Sequence, residues 1–248
     1  MQSTVVINEA WKMYHDFLCD IPRIFSQGKT IFHKRNEIKV FEGFGPKPVN
    51  VKKYHVPIFI NRIAYTFFRK PKAVRAYHNA LRLQQAGVGT ASPIGYFLSR
   101  RMGLLAESYF VSEQLDMDDT YDRGRMPTEG QEDFYIALAR YTAKIHTAGI
   151  YPKDYSPGNI LYKVENGDFS FAMVDTNRMR FGTVTVEEGC ANFARLWGRD
   201  SAFRLMAGEY AAARGADKET CIRWVMEQRA RFWKRYARRH PINYQMSD

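Results

Sequence analysis

The stretch that most restricts the fold runs from residue 149 to residue 182, GIYPKDYSPGNILYKVENGDFSFAMVDTNRMRFG. Its centre spells a β-hairpin. NILYKV and FSFAMV have the apolar, β-branched and aromatic content of strands, and the Asn166-Gly167 pair between them is a hairpin turn signal. A hairpin brings its two ends together, so Asn159 at the entry and Asp175 at the exit can face one cation. An amide oxygen and a carboxylate are hard ligands of the kind Mg2+ accepts, with waters and phosphate oxygens completing its shell. Asp154 lies five residues before Asn159 on the same loop, where it can accept a proton from, or orient, an attacking hydroxyl. The competing reading is plain turn chemistry, because Asp and Asn are ordinary turn residues.

The rest of the chain supplies strands first and helices later. Residues 5–20 read as a short helical or irregular arm. TIFHKRNEIKVFE (residues 30–42) reads as a hairpin with its polar turn at residues 34–37. VNVKKYHVP (residues 49–57) reads as the next strand, stopped by Pro57. KAVRAYHNALRLQQAG is predicted helical, with Val74, Tyr77 and Leu81 on one face and Gly87 as C-cap. SPIGYFLS and SYFVSEQL are β-like. Beyond Leu115 the apolar spacing turns helical: Phe134, Leu138, Tyr141, Ile145 and Ala148 mark a helix over residues 131–148 closed by Gly149, and helices are predicted over residues 187–213 and 217–239. This order predicts an α+β fold, with the boundary falling near residue 115. The 248 residues suffice for one large domain or two tightly packed lobes.

Charge points to an anionic partner. The net charge is +11, and it is uneven. Residues 29–75 hold twelve Lys and Arg against Glu37 and Glu42, and residues 223–239 hold seven against Glu227, whereas residues 113–133 hold eight acids against Arg123 and Arg125. A nucleotide, a phosphorylated sugar, a membrane surface or a nucleic acid would each suit such basic faces, as would simple solvation. No nucleic-acid recognition motif, zinc spacing, nucleophile elbow or Walker-A sequence backs the other classes. RFWKRYARRH (residues 231–240) is a basic amphipathic segment suited to solvent or to anionic head groups, and residues 29–35 and 62–75 could meet the same surface. Glu9, Lys12 and Asp16 interrupt any signal-peptide core, and no apolar run reaches membrane-spanning length. Cys19, Cys190 and Cys221 form no CxxC pair and read as free thiols of a reducing compartment. The expected location is cytoplasmic, or peripheral on the cytoplasmic face of the inner membrane.

The D-x4-N spacing, the hairpin and the strand-terminal aspartate together resemble the catalytic core of protein kinases. More specifically, RNEIKVFE, NRIAYTFFRKPKAVRAYHNALRLQQAGVGTASPIGY, DYSPGNILY, VDTNRMRFG and GCANFARLWG resemble the bacterial lipopolysaccharide core kinase family, which includes heptose and Kdo kinases, over roughly residues 28–240. The resemblance implies a bilobal protein-kinase-like α+β fold: an N-terminal arm and small β-rich nucleotide-binding lobe over residues 1–114, and a mainly helical catalytic lobe over residues 115–248. It implies ATP and Mg2+ as cofactors and transfer of phosphate to a sugar hydroxyl of the lipopolysaccharide core, or another anionic glycolipid. Lys52 matches the phosphate-anchoring strand lysine; strand alternation puts it with Tyr54 and turns its neighbour Lys53, the fallback, to the other face. Asp154 matches the catalytic-loop aspartate, and Asn159 and Asp175 the metal positions. Glu113 and Leu115 fall where a hinge would meet adenine.

Several positions depart from the kinase pattern. The turn between the first two strands carries Lys34, Arg35 and Asn36 instead of a glycine-rich loop, so cationic side chains replace a backbone cradle for phosphate. His78 stands where the helix glutamate that pairs the lysine is usual, leaving Glu107 as an alternative partner. Pro152 replaces a customary histidine, and Thr176-Asn177 replaces Phe-Gly. These departures keep two alternatives open: a protein kinase of the same fold, and a non-catalytic pseudokinase that docks on membrane or protein partners.

Overall fold

The computed structural model describes residues 2–55, 70–242 and 244–248. They divide into two compact units: residues 1–116 with 175–177, and residues 117–174 with 178–248. The stop at Pro57 and the basic positions 62–69 lie outside the described residues.

The first unit is built on an antiparallel sheet. In chain order its strands are β1 (Gln2–Ile7), β2 (Lys29–His33), β3 (Glu37–Phe41), β4 (Val49–Lys53), β5 (Pro93–Arg101) and β6 (Leu104–Glu113), arranged β1-β5-β6-β4-β3-β2. The arm expected at the N-terminus is partly strand. Thr4, Val5, Val6 and Ile7 are the β-branched run that makes it so, and β1 pairs with β5 from Gln2 opposite Arg100 to Ile7 opposite Gly95. Gly95 permits that close approach, since a Cβ there would lie 2.4 Å from the Val6 carbonyl oxygen. Met102 and Gly103 join β5 to β6 with φ of 52° and 76°, the left-handed pair of a tight hairpin.

Each face of the sheet carries a helix. Helix α1 (His15–Ile24) puts Phe17, Leu18 and Ile21 against Val49, Val51, Ile94, Tyr109 and Val111. Helix α2 (Lys72–Gln85) covers the other face with Ala73, Ala76 and Tyr77 against Tyr54, Tyr96, Leu98 and Leu105, and Ala80 is buried on the same helix. The buried stripe of α2 is therefore alanine-rich, whereas Val74 and Leu81 lie at its half-buried edge. Small side chains let the helix lie close to the sheet. Gly87, at φ 65°, ends it as its sequence position predicts.

The second unit is mainly helical. It contains β7 (Asp118–Asp119), α3 (Tyr121–Arg125), α4 (Glu132–Thr147), β8 (Ile150–Pro152), β9 (Ile160–Glu165), β10 (Asp168–Met173), β11 (Met179–Phe181), α5 (Val186–Asn192), α6 (Asp200–Arg214) and α7 (Lys218–Tyr236). The hairpin of the opening stretch is β9-β10, in register from Ile160 opposite Met173 to Glu165 opposite Asp168. Its turn residues Asn166 and Gly167 have φ of 53° and 89°. β8 and β11 form a second antiparallel pair on the flanks of the hairpin.

The single helix expected over residues 187–213 is two. Gly198, at φ 151°, interrupts it, and its carbonyl accepts a 2.6 Å hydrogen bond from the Arg229 guanidinium. Arg229 is 1% exposed; it also bonds the Met246 carbonyl and the Tyr244 hydroxyl and pairs with Asp200. One of the seven cations counted toward the C-terminal basic face is thus an interior fastener. Phe203 and Trp233 are core, whereas Trp197, Trp224 and Phe232 are half-buried and Tyr236 is exposed. No helix among the described residues is long and apolar enough to cross a membrane.

Candidate functional site

In the first unit the site forms around Lys52. Strand β4 alternates Val49, Val51 and Lys53 toward α1 with Asn50, Lys52 and Tyr54 toward α2. Lys52 is buried, and its ammonium lies 2.7 Å from the Asp175 carboxylate and 5.4 Å from the centre of the Tyr54 ring. Lys53 is on the other side, 3.5 Å from Glu107 and over the rings of Phe25 and Tyr109. Glu107, also bonded by Ser99 and Tyr109, is Lys53's partner and not a partner of Lys52.

The segment 175–177 is held to α2. The Thr176 hydroxyl donates to the Ala76 carbonyl at 2.9 Å, and the Asn79 amide donates to the Thr176 carbonyl at 2.8 Å. Asp175 takes a left-handed φ of 54°, unusual for a non-glycine residue, while the Asn177 amide bonds its Oδ1. His78 is exposed and stacks edge-on against Tyr77, away from this line of contacts. With no carboxylate on α2, Lys52 takes its counter-charge from Asp175. The Tyr54 hydroxyl is buried; that burial, reinforced by the Asp175 charge and opposed by the neighbouring Asn177 amide, pushes it well above the ordinary phenol range.

The other positions predicted for this unit make local contacts of their own. Lys34 and Arg35 are exposed in the bend after β2. Asn36 ties that bend to the end of β4, its side-chain oxygen accepting from the His55 N–H at 3.3 Å. Glu113, at the end of β6, pairs with Lys47, and the Leu115 carbonyl is bonded by the Gln114 amide.

In the second unit the Asp154 loop is fastened from beneath. The Asn192 amide donates to the Pro152 carbonyl at 2.9 Å, and Asn192 Oδ1 lies 3.1 Å from Nε2 of the buried His146. His146 Nδ1 lies 2.9 Å from the Tyr210 hydroxyl, which accepts from Arg214 at 2.8 Å. His146 is a structural histidine. The Tyr155 hydroxyl meets Thr142 of α4 at 2.8 Å, pinning the next residue after Asp154.

Two arginines hold the Asp154 carboxylate: Arg195 at 2.7 Å and Arg178 at 3.6 Å. Both stand in segments quoted above for their resemblance, but nothing in sequence spacing pairs a cation with Asp154. Asn159 donates both its amide hydrogens, to the Asp154 carbonyl at 2.9 Å and to Ser156 Oγ at 3.2 Å. That leaves its Oδ1 as the ligating end of the side chain. Among the described residues no three His, Cys, Asp or Glu side chains gather as a metal cage. A carboxylate such as that of Asp175 and an amide oxygen such as that of Asn159 are each hard donors of the kind Mg2+ accepts.

Comparison with known proteins gives the fold and the family. The structure is similar to a solved structure described as WaaP in complex with acyl carrier protein. Identity is 17%, the TM-score is 0.63, and 93% of this chain and 99% of that chain are covered. No curated protein sequence matches the chain. The profile of the lipopolysaccharide kinase (Kdo/WaaP) family matches residues 34–236, most of the length. The strand lysine with its post-hairpin aspartate, the tethered Asp154 loop and this match lead to one conclusion: the chain belongs to the lipopolysaccharide kinase (Kdo/WaaP) family.

Proposed function

We propose that the chain transfers the terminal phosphoryl group of ATP to a sugar hydroxyl of the lipopolysaccharide core, of Kdo or heptose type. The observation that carries this reading is the 2.7 Å pair between Lys52 and Asp175. A buried strand ammonium and a post-hairpin carboxylate meet where the kinase pattern needs a phosphate anchor and a metal ligand.

Each residue then has a role. The Lys52 ammonium binds phosphate oxygens and offsets the charge that grows on them. The Asp175 carboxylate and the Asn159 amide oxygen are the groups that would hold a metal ion; Mg2+, when bound, would supply charge neutralisation to the phosphates. Asp154 orients the acceptor hydroxyl and takes its proton, with Arg195 and Arg178 fixing the carboxylate's rotation. Lys34 and Arg35 contact the phosphates in place of a glycine-rich loop, and Glu113 and Leu115 face adenine. The acceptor is the core oligosaccharide, reached at the cytoplasmic face of the inner membrane through the basic surface. The solved relative's complex adds acyl carrier protein to the partners to test for this chain.

The glycine-free turn at Lys34-Arg35-Asn36 favours a second reading, a non-catalytic module of the same fold. Transfer of labelled phosphate from ATP into purified core oligosaccharide separates the two. Turnover that disappears in Asp154→Asn while Mg2+-ATP still raises Tm supports the kinase, with Asp175→Ala removing the Tm rise. A Tm rise with no transfer into sugar or protein refutes the catalytic reading.

A further inference from the structure

The start of α2 is charged against its own interest. Helix N-termini favour acids, because the first-turn N–H groups point outward and the helix dipole is positive there. The first turn of α2 contains no acid, and its N-cap, Pro71, makes no side-chain capping bond. Lys72 and Arg75 occupy that turn instead.

Lys72 leans over the same ring as Lys52: its ammonium is 5.8 Å from the centre of Tyr54, against 5.4 Å for Lys52. Arg75 follows by one helical turn on the line that continues through Ala76 and Asn79 to the backbone of Thr176. Its Nε is buried and has no hydrogen-bond partner. Burial pulls the Lys72 ammonium below its ordinary range, the charges of Arg35, Arg75 and Lys52 add to that, and Asp175 opposes it. Lys72 is therefore crowded by three like charges and relieved by the single carboxylate that Lys52 also pairs with. A polyphosphate would balance this excess of positive charge.

We propose that Lys72 and Arg75 bind the phosphates of the nucleotide, so that the first turn of α2 shares with Lys34 and Arg35 the work of the missing glycine-rich loop. This rests on the nucleotide-binding reading above and names residues that the family pattern did not supply. It also accounts for Lys52 drawing its counter-charge from Asp175: a carboxylate on α2 would repel the phosphates that Lys72 and Arg75 attract.

The test is calorimetric titration of ATP, ADP and adenosine, with Mg2+, into the full chain and into Lys72→Ala, Lys72→Met and Arg75→Ala. Losing one charge-assisted contact should weaken ATP and ADP by about tenfold or more in each variant. Adenosine should stay within about twofold, the ordinary noise of such comparisons. The ligand-free Tm of the Lys72 variants should match or exceed that of the wild type, because cation crowding is relieved; a merely structural lysine would lower it. ATP affinity within about twofold of wild type in all three variants, with Lys52→Met losing ATP, overturns this proposal and leaves the kinase reading intact. A wild-type chain that binds neither ATP nor ADP overturns both.

Discussion

Acid should unlatch the Asp154 loop through His146, and the size of the effect follows from a chain of donors. Asn192 uses its amide hydrogens on the Pro152 carbonyl, so its Oδ1 must accept from His146 Nε2–H. Nδ1 of that tautomer is an acceptor and takes the Tyr210 hydroxyl proton, while the Tyr210 oxygen accepts from Arg214. Every member is satisfied only when the imidazole is neutral. Protonated Nδ1 would confront a hydroxyl already receiving the Arg214 donor. Burial, above all, lowers the His146 pKa from 6.5 to about 4; the nearby Arg214 charge helps, and the bond to Asn192 opposes.

The sign follows from linkage. The folded pKa lies below the unfolded one, so as pH falls through 6.5 the unfolded chain takes up a proton that the folded chain refuses. Stability is lost from there down to about pH 4, then levels off. At about 1.4 kcal/mol per pH unit the whole loss is about 3 kcal/mol. His146→Gln is a suitable reference: it does not titrate, and other carboxylates and histidines cancel in the difference. Urea unfolding of both proteins between about pH 7 and about pH 4.5 should show the wild-type advantage shrinking by about 2–3 kcal/mol. An advantage that stays constant within about 0.5 kcal/mol across that range would mean that His146 titrates equally in both states, and the neutral-network argument would be wrong.

Other substitutions probe the same architecture. Gly189→Ala sits inside α5, where alanine ordinarily helps by about 1 kcal/mol; here its Cβ would lie 1.8 Å from the Tyr210 hydroxyl and 2.8 Å from His146 Nδ1, and it should instead lower stability by about 2–3 kcal/mol, read as a drop in Tm. Arg229→Met strips partners from the Gly198 and Met246 carbonyls and should cost about 2–4 kcal/mol, with limited proteolysis cutting near residues 244–248 earlier than in the wild type. Lys52→Met should abolish the rise in Tm that Mg2+-ATP produces, whereas Lys53→Met, on the α1 face with Glu107, should keep it.

Local chemistry was legible in the sequence wherever a residue's own type decides the outcome. Asn166-Gly167 can hardly avoid a tight hairpin, and Gly149 and Gly87 stop helices because only glycine takes positive φ without strain. Strand alternation alone separated Lys52 from Lys53. The α+β class followed from where the apolar period changes from two to 3.6. Resemblance to the lipopolysaccharide core kinases supplied the family, which the profile match over residues 34–236 bears out.

What needed the tertiary structure was every choice of partner. A charge in a sequence has many possible counter-charges, and Coulomb energy is settled by distance and burial, which spacing does not encode. Lys52 could have paired with a residue of α2 or with Glu107; instead it meets Asp175, because residues 175–177 lie against Ala76 and Asn79 in the first unit although both flanks of that segment belong to the second. Arg195 and Arg178 reach Asp154 from segments far along the chain or past the hairpin, and Arg229 leaves the basic surface for the core. Period and turn chemistry are properties of neighbours in sequence, so they can be read there; ion pairs and the alanine-lined face of α2 depend on which surfaces the whole chain brings together.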